Sequence, residues 1–346
     1  MRLNTTSISP DLREMKTTFS IVIPFRNEED QLTALLQSLA ELDYPQEDFE
    51  LILIDDDSTD ASVSIIEGFA ANHSLPLSIL NNDRLSASPK KDALATGIAK
   101  ARFEWIITTD ADCILPKMWL NAYDSAIQDQ PKLKFVAGPV CFTKDNSLLT
   151  AFQQLDFLSL QGATMGSFGL WQPFMCNGAN LAFEKKAFQE LNGYQKTNHI
   201  ASGDDVFLMH KFIKKDKNLL GYLKNSKALV LTRPQPNLKT LIAQRKRWAA
   251  KASAYKSPFA ILTAILVFAG NCAALIVLFS DNFWWMFLLK LGIDLLLITQ
   301  TARLFKQTRS LIHLAWVAFV YPIFTVYIAV VSQLGTFEWK GRRFKK

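Results

Sequence analysis

Trp105-Ile-Ile-Thr-Thr-Asp110-Ala-Asp112-Cys113 decides how this chain is to be read. A short apolar, β-branched run stops at two carboxylates one residue apart. Nothing in the run alternates with polar residues, so it reads as a buried strand. In open α/β sheets the carboxyl end of a strand faces the ligand crevice. Asp110 and Asp112 at that end repel each other unless a cation intervenes. A hard divalent ion takes few protein oxygens and completes its shell with water and phosphate oxygens. The competing reading is a plain turn in which an aspartate caps the next helix near Leu115-Pro116.

Outward from that stretch, strands alternate with helices. Phe19-Ser-Ile-Val-Ile-Pro24 reads as a strand, with Leu32, Leu35, Leu36 and Leu39 at helical spacing after it. Phe49-Glu-Leu-Ile-Leu-Ile54 runs into Asp55-Asp56-Asp57-Ser58-Thr59-Asp60, and Leu77–Leu80 is a third strand. A helix is expected from Ser88 to about Arg102. This order predicts βαβ units and a mainly parallel sheet, with the strand ends on one rim. The rim then carries two acidic clusters, after residues 54 and 109. Either the first cluster caps a helix, or a carboxylate in it accepts a nucleobase N–H. Lys90 and Lys91 read as solvated charges at a helix start, or as partners for a phosphate.

Further along, Phe135–Val140 is expected as one strand and Leu148 to about Leu160 as a helix. Asn177-Gly178-Ala179-Asn180 forms a turn that either binds a sugar hydroxyl or shapes the chain. Asp204-Asp205 open a helix, as caps or as a general base. Residues 238–256 hold Lys239, Arg245, Lys246, Arg247, Lys251 and Lys256 around Trp248. Directly before apolar segments, such a helix suits an anionic membrane surface better than nucleic acid.

Composition splits the chain. It has 346 residues and a formal net charge of +6. Three apolar segments follow Pro258: Pro258–Phe279, Phe283–Leu304 and Leu311–Gly335, each near the roughly 20 residues that span a hydrocarbon core. Lys290 and Asp294 sit i,i+4 in the middle one. The link at Asp281-Asn282 lacks Lys and Arg, whereas that with Arg303, Lys306 and Arg309 is basic. The tail Lys340–Lys346 is basic as well. Three full spans from a cytosolic domain put that tail outside, against the positive-inside rule, so either one segment is re-entrant or only interfacial, or the tail breaks the rule. The four cysteines lack a C-x-x-C spacing and fit a reducing compartment. Met1–Lys16 shows no apolar signal segment. The expected division is a tail 1–18, a catalytic domain 19–237, an interfacial helix 238–257, a membrane region 258–335 and a basic tail 336–346.

Taken together, these motifs resemble the family 2 glycosyltransferases, from about residue 19 to 250. The resemblance implies an α/β GT-A nucleotide-diphospho-sugar transferase fold followed by C-terminal transmembrane helices. Pro24, Asn27 and Glu28 look like the opening loop that contacts the nucleoside. Asp55–Asp60 resembles the family's Asp-Asp-Gly-Ser-x-Asp, with Asp57 in place of glycine, and implies that Asp56 binds uracil. Lys90, Ala93, Leu94 and Gly97 match Lys-x-x-Ala-Leu-x-x-Gly. Asp110 and Asp112 match the metal motif for Mg2+ or Mn2+, and Gly178, Ala179 and Asn180 the acceptor turn. Asp204-Asp205 stands where the family has Glu-Asp, which implies Asp205 as catalytic base. Gln244-Arg245-Lys246-Arg247-Trp248 is an intact Gln-x-x-Arg-Trp, implying donor contacts from Gln244 and Arg247 and donor and acceptor contacts from Trp248. Trp339-Lys340-Gly341-Arg342-Arg343 resembles a basic tail motif of some members and favours a cytosolic tail.

The expected activity is inverting transfer from a nucleotide-diphosphate sugar, a UDP-sugar first, to a hydroxyl of a membrane lipid or growing glycan. Processive polysaccharide synthesis and an inactive membrane scaffold are the alternatives. The expected location is the inner cell membrane with the catalytic domain in the cytosol, and no nucleic-acid partner. Donor sugar, acceptor and linkage have no code in these residues.

Overall fold

The computed structural model describes residues 16–198, 200, 202–252, 257–277, 284–333, 337–339 and 342–344. Residues 1–15 of the N-terminal tail, Lys256, the Asp281-Asn282 link and most of the Lys340–Lys346 tail lie outside the described residues. The strands are β1 (Phe19–Phe25), β2 (Phe49–Asp55), β3 (Leu77–Asn81), β4 (Trp105–Thr108), β5 (Cys113–Ile114), β6 (Phe135–Ala137), β7 (Val140–Phe142), β8 (Leu181–Glu184), β9 (Leu220–Tyr222), β10 (Val230–Thr232), β11 (Phe337–Trp339) and β12 (Arg342–Phe344). The helices are α1 (Glu29–Ala40), α2 (Ser62–Asn72), α3 (Pro89–Lys100), α4 (Trp119–Asp129), α5 (Leu148–Gly169), α6 (Lys185–Glu190), α7 (Asp204–Lys215), α8 (Leu238–Ala252), α9 (Pro258–Val277), α10 (Trp284–Leu304) and α11 (Leu314–Val331).

The chain forms two compact units. The first comprises residues 1–141, 168–171 and 175–233; the second comprises 142–167, 172–174 and 234–346. In the first, seven strands lie in the order β3-β2-β1-β4-β8-β6-β9. β3, β2, β1 and β4 are parallel neighbours, as the alternation of strands and helices demands. β8 then inserts antiparallel between β4 and β6. β5, β10 and β7 make a second, small sheet. The core is the apolar face of β1, β2 and β4, with Ile21, Leu53 and Ile107 fully buried.

Gly97 brings α3 onto that sheet. A Cβ there would lie 2.6 Å from Val22 Cγ1 and 2.7 Å from Ile54 Cδ1. Gly97→Ala is therefore expected to cost about 1–3 kcal/mol, the usual penalty for overpacking. Thermal unfolding of the purified protein measures it, and an unchanged midpoint would contradict the close approach.

Four expectations are corrected. Phe135–Val140 is not one strand: it breaks at Gly138-Pro139, and β6 and β7 join different sheets. Pro139 has no N–H to extend a ladder, and the Gly138 N–H goes to the Asn180 carbonyl at 2.8 Å. The helix expected to end near Leu160 continues to Gly169. It is buried nearly all round from Ala151 to Leu158, and most of it belongs to the unit that holds the apolar helices. Lys91 is not solvated but 1% exposed. The third apolar segment starts as a 3-10 turn at Thr308–His313 and carries Pro322 inside its helix.

In the second unit, α9, α10 and the stretch Thr308–Val331 are long and apolar enough to cross a membrane. Lys290 and Asp294 pair along α10, so neither charge stands alone there. α5 packs closely on α10, where a Cβ at Gly162 would lie 2.6 Å from Thr301 Oγ1. Phe152 of α5 meets Phe324 of α11 edge-on at 5.0 Å.

Candidate active site

The carboxyl ends of β2, β1 and β4 lie side by side, so the loops that follow them share one rim. The loop after β1 is stitched to the loop after β2. Asn27 Oδ1 accepts the Thr59 N–H at 2.8 Å, Ser62 Oγ accepts the Glu28 N–H at 2.8 Å, and Arg26 Nη1 donates to the Asp57 carbonyl at 2.8 Å. Asp60 takes the capping share of the acidic run, accepting the Ser62 N–H at 3.0 Å. Burial opposes its charge slightly, but bonds from Ser62 and Glu29 hold its carboxyl below the usual value.

Asp56 is 7% exposed, and Asn82 Nδ2 donates to its Oδ1 at 2.7 Å. Arg84 Nε lies 2.8 Å from the same oxygen, and its Nη2 lies 2.6 Å from Asp57 Oδ2. Asp57, which stands at the family's glycine, keeps a left-handed φ of 57°. That backbone is costly for a residue with a Cβ, though aspartate tolerates it better than most. The turn survives the substitution, and the extra carboxylate is held by Arg84. The sequence reading missed Arg84 and Asn82. The signal was adjacency: β3 lies beside β2, so residues just past β3 reach the end of β2.

At the end of β4, Lys90 Nζ lies 2.7 Å from Asp110 Oδ1 and 3.4 Å from Asp204 Oδ2. Burial disfavours its charge, but Asp110 and Asp204 outweigh that and hold its proton affinity above the ordinary lysine value. Lys90 thus joins the start of α3, the end of β4 and the start of α7. Asp112 Oδ2 accepts the Thr232 hydroxyl at 3.2 Å. Among the described residues, no three of His, Cys, Asp and Glu gather as a ready ligand set. The oxygen-only pair Asp110 and Asp112 suits a hard ion that keeps water and phosphate ligands.

α7 begins at Gly203, whose φ of 83° is a glycine conformation. Asp204 and Asp205 are buried in its first turn. Asp205 Oδ1 accepts the Val206 N–H at 2.7 Å, and its Oδ2 accepts the Gly178 N–H at 3.3 Å. The Asn177–Asn180 turn therefore abuts the α7 carboxylates. Asn180 itself is fully buried. It accepts from Trp119 Nε1 at 2.9 Å and Tyr123 OH at 2.7 Å, and donates to the carbonyls of Pro139 at 2.7 Å and Ala228 at 2.8 Å. All four positions of its amide are used, so Asn180 shapes the turn in place of the acceptor contact expected of it.

Near α7, Lys91 has a role other than the one expected of it, and Tyr194 escaped the sequence reading. Lys91 Nζ donates to the carbonyls of Thr197 at 2.7 Å and Ile200 at 2.9 Å, fastening the chain before α7 to α3. Tyr194 is buried, and burial, with Asp204 and Asp205 nearby, pushes its phenol well up. In the second unit, Gln244, Arg247 and Trp248 lie on α8, all partly buried.

Residues 20–191 match the family model described as glycosyl transferase family 2. Over 235 residues the chain is 25% identical to the probable glycosyltransferase YdaM of Bacillus subtilis, covering 66% of this chain and 54% of that protein. Over 234 residues it is 28% identical to the poly-beta-1,6-N-acetyl-D-glucosamine synthase of Staphylococcus epidermidis, covering 66% and 53%. The chain spans about half the length of these curated relatives. Among solved structures, mannosyltransferase PcManGT of Pyrobaculum calidifontis, in complex with GDP-Man and Mn2+, is similar over 92% of this chain and 88% of that one. The TM-score is 0.54 at 18% identity, a likeness of fold.

Proposed function

Since the chain belongs to glycosyl transferase family 2 through residues 20–191, we propose that it transfers a sugar from a nucleotide-diphosphate sugar, with inversion, to a hydroxyl of a membrane lipid or growing glycan. The observation that carries this reading is the Lys90 bridge. One ammonium links Asp110, at the end of β4, with Asp204, at the start of α7. A site for a diphosphate and a site for a base are thereby neighbours in one unit.

In this reading Pro24, Asn27, Glu28 and Asp56 face the nucleoside, with Arg84 beside Asp56. Asp205 takes the proton of the attacking hydroxyl. Gly178 fixes that carboxylate through its N–H, and with Ala179 it borders the acceptor. Lys90 keeps Asp110 and Asp204 in place. Gln244, Arg247 and Trp248 are assigned to the donor, and Trp248 to the acceptor as well. Asp110 and Asp112 would hold a divalent ion, Mg2+ or Mn2+, which when bound offsets charge on the leaving diphosphate. Chelation is expected to lower transfer at least about tenfold, with recovery on adding either ion. Activity unaltered by chelator would remove the metal from the scheme.

The division into a catalytic domain 19–237, an interfacial helix 238–257 and a membrane region 258–335 belongs to this proposal, as does a cytosolic catalytic domain at the inner cell membrane. The membrane region is supported by three helices among the described residues that are long and apolar enough to span. The test is incubation of the purified protein with single nucleotide sugars and a membrane lipid extract, read by mass. Transfer to no lipid and no glycan from any donor would end the reading. Processive synthesis is the second reading, favoured by the Staphylococcus epidermidis synthase among the relatives. Product length separates the two.

A further inference from the structure

On α8, Arg245 is 6% exposed although it lies on a basic helix. Its Nε donates to Asp156 Oδ2 at 2.8 Å, and its Nη2 lies 2.6 Å from the same oxygen. Its Nη1 donates to the side-chain oxygen of Gln244. Its guanidinium carbon sits 4.2 Å from the centre of the Trp248 ring. Trp248, three residues on and so on the same helix face, also meets Phe157 of α5 at 5.9 Å. The dipeptide Asp156-Phe157 thus receives Arg245 and Trp248 together.

A buried ion pair contributes little net stability, because desolvating both charges cancels much of their attraction. Apolar residues of similar volume would serve the fold as well. The guanidinium supplies something they lack: a fork fixed in direction by one carboxylate, with one arm on Gln244 and its flat face on Trp248. Arg245 therefore touches both ends of Gln-x-x-Arg-Trp while being outside the motif's named positions.

We infer that Asp156 and Arg245 are a positioning pair that sets the orientation of Gln244 and Trp248 for transfer. This rests on the proposal that Gln244, Arg247 and Trp248 belong to the transferase machinery.

The experiment compares Asp156→Leu/Arg245→Met, Arg245→Lys and Arg247→Ala in the full chain, purified with its membrane segments. Thermal midpoint, kcat and donor KM are measured for each. The double variant removes both buried charges, so its midpoint is expected to stay near wild type. Its kcat is expected to fall on the order of 10²-fold, the scale of a misplacement of about 1 Å. Arg245→Lys keeps the charge but loses the fork, and should fall with it. A double variant with wild-type kcat and KM would overturn the positioning role. Loss of activity together with loss of the midpoint in both Asp156→Leu/Arg245→Met and Arg245→Lys would overturn it too, since the pair would then be structural. Wild-type transfer by Arg247→Ala would instead sink the reading of the motif on which the inference rests.

Discussion

Asp205→Asn is expected to lower transfer by about 10²–10⁴-fold while leaving donor binding nearly unaltered. The substitution keeps the shape of the side chain, and its one amide oxygen still accepts one of the two N–H groups, Val206 at 2.7 Å or Gly178 at 3.3 Å, that the carboxylate accepts. What is lost is the capacity to take a proton from the acceptor hydroxyl. Asp205 is 7% exposed in the first turn of α7, so water is a poor substitute for it there. Initial rates at saturating donor, beside calorimetric titration with the nucleoside diphosphate, separate the two effects. Near wild-type rates would mean that another group is the base.

The second large effect is expected at Lys90. Lys90→Met leaves Asp110 and Asp204 facing each other without the ammonium that lies 2.7 Å and 3.4 Å from them. Breaking a fully buried pair costs about 3–5 kcal/mol. Asp110 is 35% exposed, so solvent screens part of that and about 2–3 kcal/mol is expected. The rate should fall on the order of 10²-fold as well, because the start of α7 loses its tie to β4. Lys90→Arg keeps the charge and should recover most of the stability. The sign with pH is fixed: Lys90 holds its proton more tightly folded than unfolded. Its contribution is complete below the ordinary lysine value of about 10.4 and declines only as pH rises beyond it. A methionine variant with wild-type midpoint and rate would mean that the bridge has no role.

The parallel half of the sheet was readable because β1, β2 and β4 are mostly apolar runs, and β2 and β4 run into aspartates at their carboxyl ends. Each level of the code agrees there. The antiparallel insertion of β8 was not readable, since four residues with no alternation carry no direction. Lys91 misled for another reason. Lysine at a helix start is nearly always solvated, and nothing local announces that carbonyls of Thr197 and Ile200, over a hundred residues away, will receive its ammonium. Asn180 shows the same limit: a turn amide looks alike whether it meets a ligand or four protein groups.

The two units are interleaved along the chain, which leaves the first at residue 142, returns to it for 168–171 and 175–233, and then leaves it again. During synthesis α5 emerges well before α8, α10 and α11. Yet Asp156, Gly162 and Phe152 of α5 have their partners on those later helices. The sheet can form while α5 still lacks them, so a nascent chain halted near residue 237 would hold an orphaned, mostly buried helix in need of a chaperone or a lipid surface. Completion of the apolar helices then becomes the step that closes the second unit, and a fragment cut at that point is expected to aggregate, not fold, during expression.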